Sequence, residues 1–244
     1  EDVTELETLN SMVPLWKKPK AEVTDENLKE FYKNEFHDYA DPIKGVYAKI
    51  EGSVTYDTLL FVPSRAPYDY FSKDYKKGVK LYCNGVMIME KCEELIPDYF
   101  GFVKGIVDSS DLSLNISREI LQQDRQVKAI ATSLEKKILS ELKKMMETDR
   151  ENYEKLFKEF GLSIKFGVYA GFGMNKDKLK DLLMFYSSKK EKLVTLKEYV
   201  EGMQEGQEAI YYASGESYEK IDKLPQIEKA KDKGFEILYF KDGV

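Results

Sequence analysis

Two side chains that could bind a phosphate group lie four residues apart, where a turn-rich loop leads into a helix. Arg118 and Gln122 belong to the stretch DSSDLSLNISREILQQDRQ, residues 108–126. At that spacing they would lie on one face of a helix, one turn apart. A guanidinium group offers a planar set of donors that matches phosphate oxygens, and an amide can add one more. The pattern predicts a phosphate contact, with an ion pair of Arg118 to Asp124 or Glu119 as the alternative.

No other stretch of the sequence supplies a nucleotide-binding motif. The Gly-x-Gly at 171–173 follows no predicted strand and fits neither the dinucleotide fingerprint nor the phosphate loop of nucleoside triphosphatases. We therefore expect a plain loop there. An arginine without a nucleotide site of its own is typical of a residue that is delivered to the active site of another domain.

The remaining reactive residue types argue against other kinds of catalytic site. His37 is the only histidine, and no spacing places Cys83, Cys92 or a serine beside it, so we expect a surface residue. One histidine and two cysteines are too few for a zinc site, and two free thiols suit a reducing compartment. The acidic pairs are expected to be loop and cap residues: Glu93 with Glu94, and Asp108 with Asp111.

The composition indicates a folded chain and argues against some classes of binding partner. Of 244 residues, 42% are hydrophobic, 34% are charged, and the formal net charge is −6. A general nucleic-acid binder would need a basic stripe, so the acidic balance argues against nucleic acid. No apolar run approaches the roughly 18 residues of a membrane span, and no signal peptide opens the sequence. We therefore expect a cytoplasmic protein without a membrane or nucleic-acid partner.

The first half of the sequence reads as a linker, a helix and paired strands. Residues 1–20 look like a linker anchored by Trp16, the only tryptophan, and Thr24 or Asp25 can cap the helix DENLKEFYKNEF. KGVYAKIEGSVTYDTLLFVPS predicts two paired strands that turn at 52–53. In VKLYCNGVMIM, the dipeptide at 84–85 predicts a hairpin with a type I′ turn. A short strand is expected at 105–107, before the loop.

The second half reads as helices followed by a strand–helix–strand unit. Apolar residues recur every three or four positions after the loop and predict a long amphipathic helix: Val127, Ile130, Leu134, Ile138, Leu142 and Met145. TDRENYEKLFKEFG and NKDKLKDLLMFY are expected as further helices, broken near 171–173. Thr195 and Glu198 form a capping box. AIYYAS and FEILYF predict buried, parallel strands around a helix that is interrupted at Pro225 and capped by Gly234.

The ends of the sequence suggest that it is part of a longer protein. It begins at Glu1 in an acidic, poorly patterned stretch and stops at YFKDGV, just past a predicted strand. From the residues alone we expect a mixed-sheet first subdomain, a helical connector and a small α/β second subdomain.

Several long motifs are similar to one known family. LNISREILQQ, with CEELIPDYFGFVKGIVDSSDL before it, LLFVPSRAP upstream and EGQEAIYYASGES downstream, closely resembles the middle domain of the heat-shock protein 90 chaperones, the bacterial members above all. The resemblance runs from about residue 14 to FEILYF, with the motifs in the family order. Gyrase and MutL share the family's fold for the first part, and their hairpin often carries an Asn-Gly like that at 84–85.

The resemblance implies a fold and a set of boundaries. The expected class is α+β and α/β: a subdomain like the second domain of ribosomal protein S5, then a helical connector and a smaller α/β/α subdomain. The implied boundaries are a linker at 1–20 from a separate ATPase domain, the S5-like subdomain at 21–147 with its catalytic loop at 108–124, the connector at 148–183, and the last subdomain at 184–244.

The resemblance also implies a division of labour between domains. ATP with magnesium would be bound by a separate N-terminal domain, and a C-terminal domain would form the homodimer, so this segment alone would be a monomer without ATPase activity. The middle domain would supply the catalytic loop and help to hold unfolded or partly folded client proteins. By motif position, Arg118 would contact the γ-phosphate, Gln122 would be its helical neighbour, and Asn115 would help to shape the loop.

Some positions depart from the more familiar family pattern. Met87 stands where an aromatic residue is common, Tyr39 where some members have tryptophan, and Ser113 where many have proline.

The alternative function is the transducer domain of a gyrase- or MutL-type ATPase that acts on DNA. That class usually presents a loop lysine and a basic surface. A small-molecule kinase on the same fold would need a glycine-serine phosphate loop that the sequence lacks.

Overall fold

The computed structural model describes residues 13–112 and 124–242, which form two compact units. The first unit takes residues 13–63, 76–96, 103–112 and 124–132. The second takes residues 64–75, 97–102 and 133–242. The fold is a mixed α/β fold with one sheet in each unit, which confirms the predicted fold class. The subdomain boundaries drawn from the sequence stay a prediction.

The sheet of the first unit has five strands in the order β1-β2-β5-β3-β4. Its strands are β1 (Lys44–Ile50), β2 (Tyr56–Val62), β3 (Val79–Cys83), β4 (Val86–Cys92) and β5 (Lys104–Asp108). All neighbours are antiparallel except β3 and β5, which run parallel. The predicted pairs β1/β2 and β3/β4 and the short strand before the loop are confirmed.

A helix and the incoming segment cover this sheet. Helix α1 (Asp25–Phe36) is capped by Thr24, one of the two predicted caps, and Asn27 completes a capping box with it. Trp16 lies in a 3₁₀ turn and is buried, which confirms the expected anchor. The cluster around it joins the segment, the helix and the sheet: Trp16, Leu28, Tyr32, Leu59, Phe61 and Ile106.

The β3/β4 hairpin turns at the predicted dipeptide. Asn84 and Gly85 have φ angles of 50° and 80°, the positive values that a type I′ turn requires, and Cys83 pairs with Val86 across the turn. The hairpin places the Gly85 amide beside the end of β5.

Two long helices begin the part of the chain after the loop. Helix α2 (Arg125–Thr148) buries the apolar series that predicted it, from Val127 to Met145, and its first eight residues belong to the first unit. Helix α3 (Arg150–Tyr169) follows at once. The chain then turns at 170–173, where Gly171 and Gly173 have positive φ angles, which confirms the predicted break.

The second unit also holds a four-stranded sheet in the order β7-β6-β9-β8. After the short helix α4 (Lys176–Leu179) come β6 (Met184–Ser187), β7 (Leu193–Thr195), α5 (Leu196–Glu201), β8 (Tyr211–Ser214), α6 (Tyr218–Asp222), α7 (Pro225–Asp232) and β9 (Ile237–Phe240). Strands β8 and β9 are parallel, as predicted, and the other neighbours are antiparallel. The capping box of α5, Pro225 in the first turn of α7, and the positive φ of Gly234 after α7 are confirmed.

Two predictions for this unit were wrong. The helix expected across NKDKLKDLLMFY ends early, and Met184 begins the central strand β6. A short apolar run such as LLMFY suits a buried strand as well as a buried helix, so periodicity could not separate the two. The strand in AIYYAS exists, but Tyr211, Tyr212 and Ser214 are exposed because β8 is an edge strand.

Among the residues that the structure describes, no helix is both long enough and apolar enough to cross a bilayer.

Candidate functional site

The predicted site residues lie outside the described part of the chain. Arg118, Gln122 and Asn115, with Ser113, fall within residues 113–123. The structure does describe the two points between which this stretch runs. One is the end of β5 and the residues up to Leu112, and the other is Asp124 at the start of α2.

A buried carboxylate stands at the first of these points. Asp108 is the last residue of β5 and is 1% exposed. Its Oδ2 accepts hydrogen bonds from Trp16 Nε1 at 2.9 Å and from the Gly85 amide at 3.1 Å, and it lies 3.1 Å from Lys17 Nζ. Because its partners come from two distant parts of the sequence, Asp108 ties the incoming segment and the β3/β4 hairpin to the end of β5.

The ammonium group of Lys17 forms ion pairs with two carboxylates, those of Asp57 and Asp108. Lys17 Nζ lies 2.9 Å from Asp57 Oδ2, and Asp57 is the register partner of Asp108 across β2 and β5. Burial alone would lower the pKa of Lys17, but its hydrogen bonds to Asp57 and Asp108 outweigh that cost and raise its pKa above the usual value. Lys17 therefore stays protonated and balances the buried charge of Asp108.

The residues after Asp108 are held by a second set of hydrogen bonds. Ser109 Oγ donates to the Thr55 carbonyl at 2.7 Å and accepts from the Asp111 amide at 3.2 Å. Asp111 Oδ2 accepts from the Thr55 amide at 2.7 Å. Cys83 Sγ donates to the Leu112 carbonyl at 3.0 Å. The chain is thus fixed to the residue before β2 and to β3 as far as Leu112, the last residue described before Asp124.

The second point is a helix cap. Asp124 Oδ1 accepts hydrogen bonds from the amides of Gln126 at 2.6 Å and Val127 at 3.1 Å, and the Lys128 amide donates to the Asp124 carbonyl. A carboxylate at this position satisfies free amides of the first turn and interacts favourably with the helix dipole. Asp124 therefore fixes where α2 begins.

The sequence reading assigned Asp108 and Asp111 to loop and cap roles, but Asp108 ends strand β5, and its partners were missed. Trp16 lies 92 positions away in the sequence. The available signal was an aspartate directly after the apolar run GIV, since a charge at the end of a buried strand needs partners.

The other candidate sites have structural roles. His37 ends α1 in the left-handed region, with φ of 51°, and is exposed as expected. Cys83 and Cys92 are free and buried, and burial together with the Glu94 carboxylate raises the pKa of Cys92 to about 12. Within 13–112 and 124–242, no group of three or more His, Cys, Asp or Glu residues is arranged to hold a metal ion.

Comparison with known proteins finds one family that matches the whole chain. The family model described as Hsp90 protein matches residues 1–244. Over all 244 residues the chain is 57% identical to the chaperone protein HtpG of Clostridium perfringens, 56% to that of Bacillus subtilis and 58% to that of Clostridium acetobutylicum. It spans 39% of the length of each of these relatives.

A solved structure shares the fold. The middle domain of a Plasmodium falciparum heat shock protein superposes with a TM-score of 0.82 at 29% identity, over 94% of this chain and 90% of that one. These matches do not favour the alternative of a gyrase- or MutL-type transducer.

Proposed function

The chain belongs to the Hsp90 protein family, and we propose that it is the middle segment of an ATP-dependent molecular chaperone. One observation carries this proposal. The likeness to the HtpG chaperones runs over all 244 residues but fills only 39% of their length, and the solved structure that it matches is described as a middle domain. ATP with magnesium would then be bound by an N-terminal domain outside this sequence.

In this proposal Arg118 contacts the γ-phosphate of ATP held by that domain. Charge builds on the phosphoryl oxygens in the transition state, so a guanidinium there stabilises it more than the ground state. Gln122 adds a neighbouring donor, and Asn115 shapes the loop. The anchored ends support this role. Asp108 and Asp124 fix the described chain on both sides of the stretch that contains Arg118.

The proposed partners follow from the same assignment. A C-terminal domain would join two full-length chains, while this segment alone would be a cytoplasmic monomer. Unfolded or partly folded client proteins would contact apolar surface. Several aromatic and apolar side chains at the end of α3 and in the turn after it are exposed, which supports such contacts: Phe166, Tyr169, Phe172 and Met174.

The test compares two arginines in the full-length protein. Arg118→Ala should lower the kcat for ATP hydrolysis by about 10-fold to 10³-fold. That is less than the largest effects of arginine fingers, because loop docking itself can limit the rate. Arg125→Ala is the matched control, since Arg125 is exposed in the first turn of α2, and it should leave kcat unchanged. ATP affinity should change little in both variants.

Turnover of Arg118→Ala at the wild-type rate would contradict the assignment. So would a loss of turnover that is accompanied by unfolding of the 244-residue chain, because that would point to a structural ion pair. Circular dichroism of both variants separates these outcomes.

A further inference from the structure

The strand β8 is an edge strand whose composition suits a buried one. It ends the sheet order β7-β6-β9-β8, so one side of the strand faces β9 and the other faces away from the sheet. Tyr211, Tyr212 and Ser214 are nevertheless exposed, Tyr212 by 65%. We call the outward side of residues 211–214 the β8 edge.

The hydrogen bonds of β8 show which backbone groups lie along this edge. The Gly215 amide donates to the Phe240 carbonyl on β9, and the Tyr211 amide donates to the Tyr199 hydroxyl. Alternate residues of a strand direct their backbone groups to opposite sides, so Tyr212 and Ser214 direct theirs outward. Among the described residues, no side chain or loop forms a hydrogen bond with these outward groups.

Apolar surface lies along both faces of the β8 edge. On one face, the Tyr212 ring stacks on Phe240, with centroids 5.0 Å apart. On the other, a groove of about 440 Å³ opens between β8 and the start of α7. Apolar side chains line it from the helix side: Leu224, Ile227 and Ala230. A strand added here would place its side chains alternately against Tyr212 and in this groove.

The other sheet edges carry features that discourage strand addition, and β8 carries fewer of them. Strand β7 has three residues and leads directly into α5. Strand β4 has register shifts and the exposed charges of Glu90 and Lys91, and β1 carries Lys49. Charges, irregularities and short length are the usual protections of an edge. β8 is short, but residues 210–215 contain no charge and no proline.

The charge around β8 indicates what kind of segment fits. Residues 202–219 contain four glutamates and no lysine or arginine: Glu205, Glu208, Glu216 and Glu219. Glu216 pairs with Lys220, so residues 202–220, with four glutamates and one lysine, carry a net charge of −3, and Glu205 and Glu208 lie on the segment that leads into β8. A segment with basic residues at its ends would be attracted, and an acidic one would be repelled.

We infer that the β8 edge binds an extended, basic and β-branched or aromatic segment of a non-native client protein as an additional strand. This inference rests on the proposed chaperone function and specifies one of its contact sites. Strand addition takes its affinity from main-chain hydrogen bonds, which any unfolded chain can offer, and its preference from alternate side chains. Two outward residues offer about four backbone hydrogen bonds, so binding should be weak and reversible.

The test uses the 244-residue chain and two synthetic peptides. The first is acetyl-Lys-Val-Thr-Val-Tyr-Val-Thr-Lys-amide. The second has the same sequence, but the backbone amide nitrogens of the six residues between the two lysines are methylated. In NMR titration the first peptide should shift the amides of Tyr212 and Ser214 and slow their hydrogen exchange. The second should bind at least 10-fold more weakly, because it retains the side chains and loses the donors.

Two variants and one control locate the contact. Tyr212→Lys places a positive charge on the edge, and Ser214→Pro removes an outward donor without removing a bond to β9. Each should weaken binding of the first peptide at least fivefold. Tyr39→Lys is the control, because Tyr39 is 100% exposed and lies in the first unit, and it should have no effect.

Three results would overturn the inference: equal binding of the N-methylated peptide, peptide-induced shifts away from β8, or amides of Tyr212 and Ser214 that are already protected in the free chain. If that amide protection increases with protein concentration, sedimentation should detect a dimer, and a second copy of the chain then occupies the β8 edge. These failures are distinguishable from failure of the proposed function, since ATP turnover and its dependence on Arg118 would be unaffected.

Discussion

At the scale of single residues, the buried carboxylate of Asp108 holds together the segments that lie next to the stretch containing Arg118. Asp108→Asn keeps the shape but removes the charge that faces Lys17, and it puts an amide donor beside the donors of Trp16 and Gly85. Loss of a buried, multiply hydrogen-bonded charge should cost about 2 to 4 kcal/mol of unfolding free energy.

Trp16 reports this change directly, because it is the only tryptophan. Denaturant unfolding followed by its fluorescence should give a lower midpoint for Asp108→Asn, and the native emission should shift to longer wavelength. Asp69→Asn, at an exposed position, serves as the control. If both variants unfold at the wild-type midpoint, Asp108 does not hold the incoming segment.

A pH dependence is expected from the capping box of α5. Burial alone would raise the pKa of Glu198, but the Thr195 amide at 2.8 Å and the Arg150 guanidinium at 3.0 Å lower it below the usual value. The folded state therefore binds fewer protons than the unfolded state, so this contribution is present above about pH 4.3 and is lost as the pH falls further.

Glu198→Gln should consequently unfold more easily at pH 7 and lose less stability than the wild type between about pH 5 and pH 3. Thermal unfolding across this range measures the effect. Glu201→Gln, on the same helix but with only a long contact to Lys197 at 3.9 Å, is the matched control. An unchanged slope in Glu198→Gln would show that its carboxylate is not coupled to folding.

At the scale of elements, the central strand β5 depends on a glycine. A Cβ added to Gly105 would lie 2.3 Å from the Leu59 carbonyl oxygen of the neighbouring strand, which real Cβ atoms essentially never approach. Gly105→Ala should therefore push β5 away from β2 and cost about 2 to 3 kcal/mol.

Gly52→Ala is the comparison, because nothing lies within 4 Å of a Cβ there, and it should change stability by less than about 0.5 kcal/mol. Urea unfolding of the two variants tests the contrast. Equal stability of both variants would mean that β5 can move away from β2 without a loss of stability.

The elements also show what the sequence could predict. Local signals were sufficient for the hairpin at Asn84 and Gly85, the cap at Thr24 and the buried face of α2, since each depends on residues a few positions apart. They were insufficient for β6, because an apolar run fits a buried strand or helix, and for β8, because exposure depends on the position of a strand in its sheet. The contact of Trp16 with Asp108 is set by tertiary folding alone.

At the scale of the whole molecule, each unit contributes a different feature. The first unit holds both anchored ends of the stretch that contains Arg118, and the second holds the β8 edge. Phosphate contact and client contact would then lie in separate units of one segment, so that variants in one should leave the other function intact.

The last prediction concerns nucleotide binding by the chain alone. The sequence has no phosphate loop or dinucleotide fingerprint, and the described residues arrange no acidic group for a metal ion. Calorimetric titration of the 244-residue chain with ATP and magnesium should give no saturable heat. Mixing the chain with a separately produced N-terminal domain of the same protein should raise the ATP turnover of that domain, and Arg118→Ala should abolish the increase. A micromolar dissociation constant for the chain alone would mean that Arg118 belongs to a complete nucleotide site on this segment, and the proposed division between domains would then be wrong.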